Sequence, residues 1–335
     1  MKKFLNTIKI SCSVIGGVIG AGFITGREIM TFFFGYNRYI ASLFLFVAFF
    51  ILIYLILRVE SKLLSFLIKK SELLILVLNV LIMASMLGAT DSLAEDLFSL
   101  KSEIPLVSII LLILSTFCCL GGYDKLSKVN VVIVPIILLL FIGTVLTVLD
   151  DGQAVIQGNG VEVSTCFSYV ALNIFLIQPF LIKIKEEKEV YSPIGVALFS
   201  SIILAFAIFL FLGALSEDCI YCDIPLILLV KGSRYLYFLV ATIVFIAIFT
   251  TLTAVQFPFC GIFKKADSLI LILVSVIAFA ISRIGFYSIV DKIYPKISII
   301  AMIYYSAFIA IYLFSVLKSQ RLHTLNPRED KGLQY

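Results

Sequence analysis

Only one histidine, His323, occurs in the chain, in a polar C-terminal stretch. A zinc site or catalytic triad built on histidine is therefore not available. No G-x-x-x-x-G-K-[ST] stretch occurs, so the phosphate-binding loop of a primary pump is missing too. Charge is scarce: Asp, Glu, Lys and Arg make up 14% of the 335 residues, against about 25% in soluble domains. That excludes a soluble globular enzyme, and high hydropathy excludes disorder. The apolar segments hold no paired Asp or metal constellation for intramembrane catalysis, so no enzyme is expected. Most of the seven cysteines (Cys12, Cys118, Cys119, Cys166, Cys219, Cys222 and Cys260) lie inside apolar runs, where they serve as small hydrophobes. Cys219 and Cys222 alone sit together outside one, as a C-x-x-C that is either a disulfide or redox pair or without a role.

What is present is apolar surface: 61% of residues are hydrophobic and the mean hydropathy is +1.14. A bilayer crossing takes about 20 residues, and the chain divides into ten apolar segments. Their approximate limits are 4–34, 40–57, 72–91, 104–120, 127–149, 164–183, 191–215, 234–260, 267–284 and 295–317. The fold class expected is an all-α membrane protein with ten transmembrane helices, one transmembrane domain over 1–318 and a cytoplasmic tail over 319–335. The run Ile224–Val230 is too short to cross and reads as an amphipathic piece on the outer surface. The start Met1-Lys2-Lys3 resembles a signal peptide's charged region, but the apolar run continues to Phe34 without an A-x-A site, which reads as a retained span.

Lys and Arg set the orientation. With the N-terminus cytoplasmic, the inner loops and tail hold 18 basic residues and the outer loops 7, with Arg27 inside segment 1. The outer loops are instead acidic, with Asp91, Glu95, Asp96, Glu103, Asp150, Asp151, Glu162, Glu217, Asp218 and Asp223. The positive-inside rule then places both termini in the cytoplasm.

Segment 1 is the exceptional one. Gly16, Gly17, Gly20, Gly22 and Gly26 fall within eleven residues. As one helix, 4–34 would measure about 46 Å, well beyond the ~30 Å hydrocarbon core. Its midpoint, Ile19, lies inside the glycine run. Two readings stand: an unwound helix lining a solute site, or small-xxx-small packing through Gly16/Gly20 and Gly22/Gly26. Glu28, beside Arg27, favours the first, because a carboxylate in a span needs water or a partner; Arg27 could equally act as its shield. The candidate solute-binding residues are Gly20, Ala21, Gly22, Phe23, Ile24, Thr25 and Glu28. The inner half-helix would offer free carbonyls to Na⁺. The outer half, starting near Ile24, would offer free N–H groups to an anion.

The stretch Gly16–Glu28 (GGVIGAGFITGRE) resembles the signature of YkvI-type bacterial membrane proteins of the amino acid–polyamine–organocation superfamily. Tyr169–Leu181 (YVALNIFLIQPFL), Ala247–Thr251 (AIFTT) ahead of Thr253, and Gly285–Pro295 (GFYSIVDKIYP) carry the resemblance over nearly the whole chain. It implies a LeuT-like five-plus-five inverted repeat, about 4–149 and 164–317, with discontinuous helices 1 and 6. In segment 6 the candidates for the break are Ser168, Asn173, Gln178 and Pro179, of which Ser168 and Asn173 would join the solute site; a merely kinked helix is the alternative. The resemblance further implies a sodium site made by Thr250 and Thr251 with the carbonyls of Gly17, Val18 and Gly20, although Thr hydroxyls also commonly bond their own helix. Departures are Ala171-Leu172-Asn173 where relatives carry Ser-Tyr-Asn, and Arg27 where Gln is usual. Lys125 and Lys128 read as positive-inside anchors, although some superfamily members place a protonatable Lys on this helix in sodium's stead.

The function implied is secondary active transport of a small, amino-acid-like organic solute, driven by Na⁺ or H⁺. No organic cofactor and no nucleic-acid partner are expected. The site would be the bacterial plasma membrane, in a monomer or homodimer. The alternative is a non-transporting sensor or receptor with the same pocket. Epitope tags at the two ends should both stay inaccessible to antibody in intact cells and become accessible on permeabilisation.

Overall fold

The computed structural model describes residues 2–58, 62–98, 105–120, 123–149, 160–186, 190–259 and 267–325. Cys260, Lys188, Lys264, Lys265, Asp150, Asp151, Arg328 and Lys331 lie outside that set, as do the side chains of Lys125 and Lys128. The described chain is helical, with no strand among the described residues. Among the described residues, seven helices are long and apolar enough to cross a membrane, and the protein is therefore a multi-pass α-helical membrane protein.

The first apolar segment forms three pieces: α1 (Lys2–Val18), α2 (Ala21–Thr25) and α3 (Arg27–Phe33). Then follow α4 (Arg38–Arg58), α5 (Lys62–Phe98), α6 (Leu106–Leu120), α7 (Tyr123–Leu149), α8 (Val163–Glu186) and α9 (Pro193–Ala214). The remainder is α10 (Pro225–Leu229), α11 (Arg234–Gln256), α12 (Asp267–Ser282), α13 (Phe286–Ser288) and α14 (Tyr294–Leu325). A π-helical turn, Ile289–Ile293, joins α13 to α14, so that Phe286–Leu317 counts as one crossing. At 15 residues α6 spans about 22 Å, short of a full crossing by itself.

Local chemistry explains several boundaries. Ser192 caps α9, its hydroxyl accepting from the Gly195 amide at 3.2 Å, and Pro193 occupies the first turn, where a missing N–H costs nothing. The helix α4 is apolar all round, as a helix between protein and lipid should be. Leu45, Phe49, Leu52 and Ile53 are fully buried against α8 and α9, while Leu43, Val47 and Ile51 are exposed. Around α8 gather α1, α4 and α14, and its Tyr169–Asn173 stretch is buried throughout.

Three expectations change. The sixth apolar segment, α8, is continuous from Val163 to Glu186 with Pro179 inside it, so helix 6 is not discontinuous. No glycine occurs there to favour unwinding, and the adjoining Gln178 is tied on both its amide atoms. Its Nε2 donates to Ser71 Oγ (3.1 Å) and to the Tyr304 hydroxyl (3.2 Å), and its Oε1 accepts from the Tyr305 hydroxyl (2.7 Å). Second, Ile224–Val230 does not lie on the surface. Ile224, Leu226 and Ile227 are buried, and α10 packs against α2 and α11, because a run apolar on every side gains more from enclosure than from an interface. Third, the last crossing begins at Phe286 rather than 295, which brings Asp291 inside it.

Gly26 joins α2 to α3 with φ +82°, and a Cβ there would sit 2.2 Å from Phe211 Cζ. Gly35 has a similar φ of +80° but open space around it. Gly26→Ala should therefore lower the thermal midpoint in detergent more than Gly35→Ala does. The latter should cost only the backbone term of about 1–2 kcal/mol.

Candidate functional site at the broken first segment

α1 stops where its hydrogen-bond ladder is diverted. The Gly20 amide turns back to the Val18 carbonyl (2.9 Å), and the Ala21 amide donates to Thr251 Oγ1 of α11 (3.0 Å). The carbonyls of Gly16 and Gly17 thus lose the amides that a continuous helix would direct at them. Thr251 Oγ1 in turn donates to the Ala247 carbonyl (2.8 Å), so one hydroxyl joins α11 to the break. Gly20 is where contact is tightest: a Cβ there would meet Thr251 Oγ1 at 3.0 Å. The outer piece starts at Ala21 rather than near Ile24, and its first amide is already taken. The Ala21 amide is thereby withdrawn from the set of free N–H groups expected there.

The expected ion ligands divide. Gly20 and Thr251 come together at the break, while Gly17 lies against Ile177 of α8. Thr250, like Thr251, donates to the Ala247 carbonyl of its own helix (3.0 Å), but it takes no amide from the break. The Val18 and Gly20 carbonyls accept from the amides of Gly20 and Ile24, at 2.9 and 3.0 Å. Orphaned carbonyls at Gly16 and Gly17 beside a hydroxyl form a neutral, hard-oxygen set, which suits a monovalent cation.

Beyond the break, Ala21–Thr25 are all buried. Glu28, in the first turn of α3, folds back over Gly22, where a Cβ would lie 1.9 Å from its Oε1. Gly22 is thus a seat for the carboxylate. Among the described residues Glu28 has neither hydrogen bond nor ion pair. It is partly accessible, so it borders space rather than packed atoms. The hydroxyls of Tyr169 (α8) and Tyr294 (α14) lie within its electrostatic reach. Tyr294 shares a hydrogen bond with Ser85 Oγ of α5 (2.8 Å), whereas the Tyr169 hydroxyl is fully buried beside Asn173.

Ser168 and Asn173, the expected contributions of α8, both bond their own helix. Ser168 Oγ donates to the Thr165 carbonyl (2.9 Å) and Asn173 Nδ2 to the Tyr169 carbonyl (3.0 Å). Tyr169 is the α8 residue that comes within electrostatic reach of Glu28, its ring packed on Phe32 and Phe33 of α3. Sequence reasoning quoted it without assigning it a role, although a phenol in an apolar helix signals a partner elsewhere.

Arg27 does not shield Glu28. Consecutive helical residues point about 100° apart, and Arg27, 2% exposed, faces outward into a different set of acceptors. Its Nη2 donates to Asp291 Oδ1 (2.7 Å), and its Nη1 donates to the carbonyls of Ile220 (2.6 Å) and Cys222 (3.2 Å). Its guanidinium lies 4.0 Å from the ring centre of Tyr287, and Thr31 Oγ1 also donates to Asp291 Oδ1 (3.1 Å). Arg27 therefore latches α3 to the 216–222 turn and to the π turn. Asp291 was missed because its sequence position reads as loop.

No family model matches this chain, and no curated protein matches it. Chemically, the arrangement supplies an unpaired carboxylate, a buried phenol and an oxygen-lined break, closed on one side by a bonded arginine. Arg27→Gln and Asp291→Asn should each destabilise the protein. Their double variant should lose less than the sum, with a coupling of about 0.5–3 kcal/mol in a double-mutant cycle of unfolding.

Proposed function

We propose that this protein is a secondary active transporter of a small organic solute, binding at the break of the first segment. Glu28 carries the reading: an acidic group placed at an interrupted helix, seated on glycine, with the adjacent cation committed elsewhere. A carboxylate held this way inside a membrane is costly unless it has a task. The tasks open to it are to hold an amine of an amino-acid-like solute or to take up a proton.

On this reading the seven long helices are joined as spans by α1–α3, α6 and α12, giving ten crossings in a LeuT-like inverted repeat with both termini in the cytoplasm of a bacterium. Na⁺ would sit among the carbonyls of Gly16 and Gly17 and the hydroxyl of Thr251, or a proton on Glu28 would take its place. Alternating access then requires the Arg27–Asp291 latch to open outward, because it ties α3 to the last crossing. The protein is not an enzyme on this reading. A second reading, a sensor with the same pocket but no flux, draws on unbroken α8 and on Thr250 facing its own helix.

Proteoliposomes loaded with amino acids, amines or nucleobases distinguish the two. Net uptake that collapses when both the Na⁺ and proton gradients are removed supports transport; tight binding without flux supports the sensor. Glu28→Gln should cut uptake at least about tenfold, the scale of one lost charged contact, with the protein still inserted in the membrane. Thr251→Ala should remove Na⁺ stimulation, and wild-type uptake by both variants would refute the site.

A further inference from the structure

The geometry points to Cys219 and Cys222 as a reversible dithiol–disulfide pair that fixes the turn receiving Arg27. The inference rests on the outer placement of residues 216–230 in the reading above.

Residues 219–222 form a turn closed by the Cys222 amide donating to the Cys219 carbonyl at 3.3 Å. Such a turn holds its end Cα atoms within about 7 Å, the separation a disulfide bridges. Both cysteines are free thiols, and each lies within electrostatic reach of the other. Their access differs in a useful way. Cys222 is partly exposed, whereas Cys219 is fully buried behind it, where Ser216 Oγ and Cys219 Sγ approach to 3.5 Å. Burial holds the Cys222 thiol above its usual range, which slows but does not prevent attack by its thiolate.

The pair matters because of the carbonyls it brackets. Those of Ile220 and Cys222 are two of the three acceptors that hold the Arg27 guanidinium. Closing a ring across 219–222 fixes the spacing of both, so the latch keeps its acceptors in place when the outer side strains to open. Oxidising outer compartments supply the oxidant as a disulfide, RSSR. The Cys222 thiolate attacks one sulfur of RSSR, forming Cys222–S–S–R and releasing RS⁻. Cys219, deprotonated, then attacks the Cys222 sulfur and expels the second RS⁻. Two protons and two electrons leave the protein, and two RSH result.

The test uses the full chain in detergent, incubated with oxidised or reduced glutathione, quenched with N-ethylmaleimide and digested. After oxidation the peptide holding both cysteines should lose two hydrogens, about 2 Da, and take up no maleimide. Hydrogen exchange across Arg27–Phe33 should slow several-fold relative to the reduced protein. The Cys219→Ser, Cys222→Ser double variant should show the reduced exchange rate in both buffers. Two maleimide adducts after oxidation, or a glutathione adduct left standing on Cys222, overturns the pair. A disulfide that leaves exchange across Arg27–Phe33 unchanged overturns its hold on the latch. Neither readout uses flux, so failure of the transport reading and failure of this one are distinguishable.

Discussion

Within hydrocarbon an unpaired backbone amide costs several kcal/mol, and this constraint governs everything around residues 19–21. α1 can stop in mid-protein because Thr251 reaches across from α11 to take the Ala21 amide. The adjacent amide closes a tight turn onto Val18. These two donors are satisfied, while the carbonyls of Gly16 and Gly17 lose the amides a continuous helix would send them.

Charge is then sorted by helical geometry. Arg27 and Glu28 are neighbours in sequence, yet α3 turns them into separate surroundings. Arg27 has an anion, two carbonyls and an aromatic face; Glu28 has phenols and a glycine seat. Had they neutralised one another, neither the latch nor the acidic site would exist. Pairing Arg27 with Asp291 uses up the one cation that stands next to Glu28 in the chain.

Much of the scaffold was legible because its signals are strong and local. Lipid-facing helices announce themselves by unbroken apolar length, and the interruption of segment 1 by excess length and glycine. Glu28 was legible as a charge without a loop to explain it. What stayed hidden depended on distant pairing. Pro179 suggested a break in α8, but the outcome was decided by Gln178 and its partners on α5 and α14, more than a hundred residues away. Thr250 and Thr251 look alike in sequence, and only the packing of α11 on α2 sends one to the break. Asp291 reads as a loop residue until the π turn is seen to carry the helix through it.

That π turn, with the Tyr294 amide reaching five residues back to the Ile289 carbonyl, winds wider than an α turn. In an ordinary helix Asp291 and Tyr294, three apart, would share a face and answer to a single environment. The extra residue swings them apart, so one short stretch serves two partners: Asp291 takes the Arg27 guanidinium and Tyr294 pairs with Ser85 of α5. The wide turn thus separates two neighbours, a carboxylate committed to α3 and a phenol committed to α5, that a regular helix would have stacked on one face.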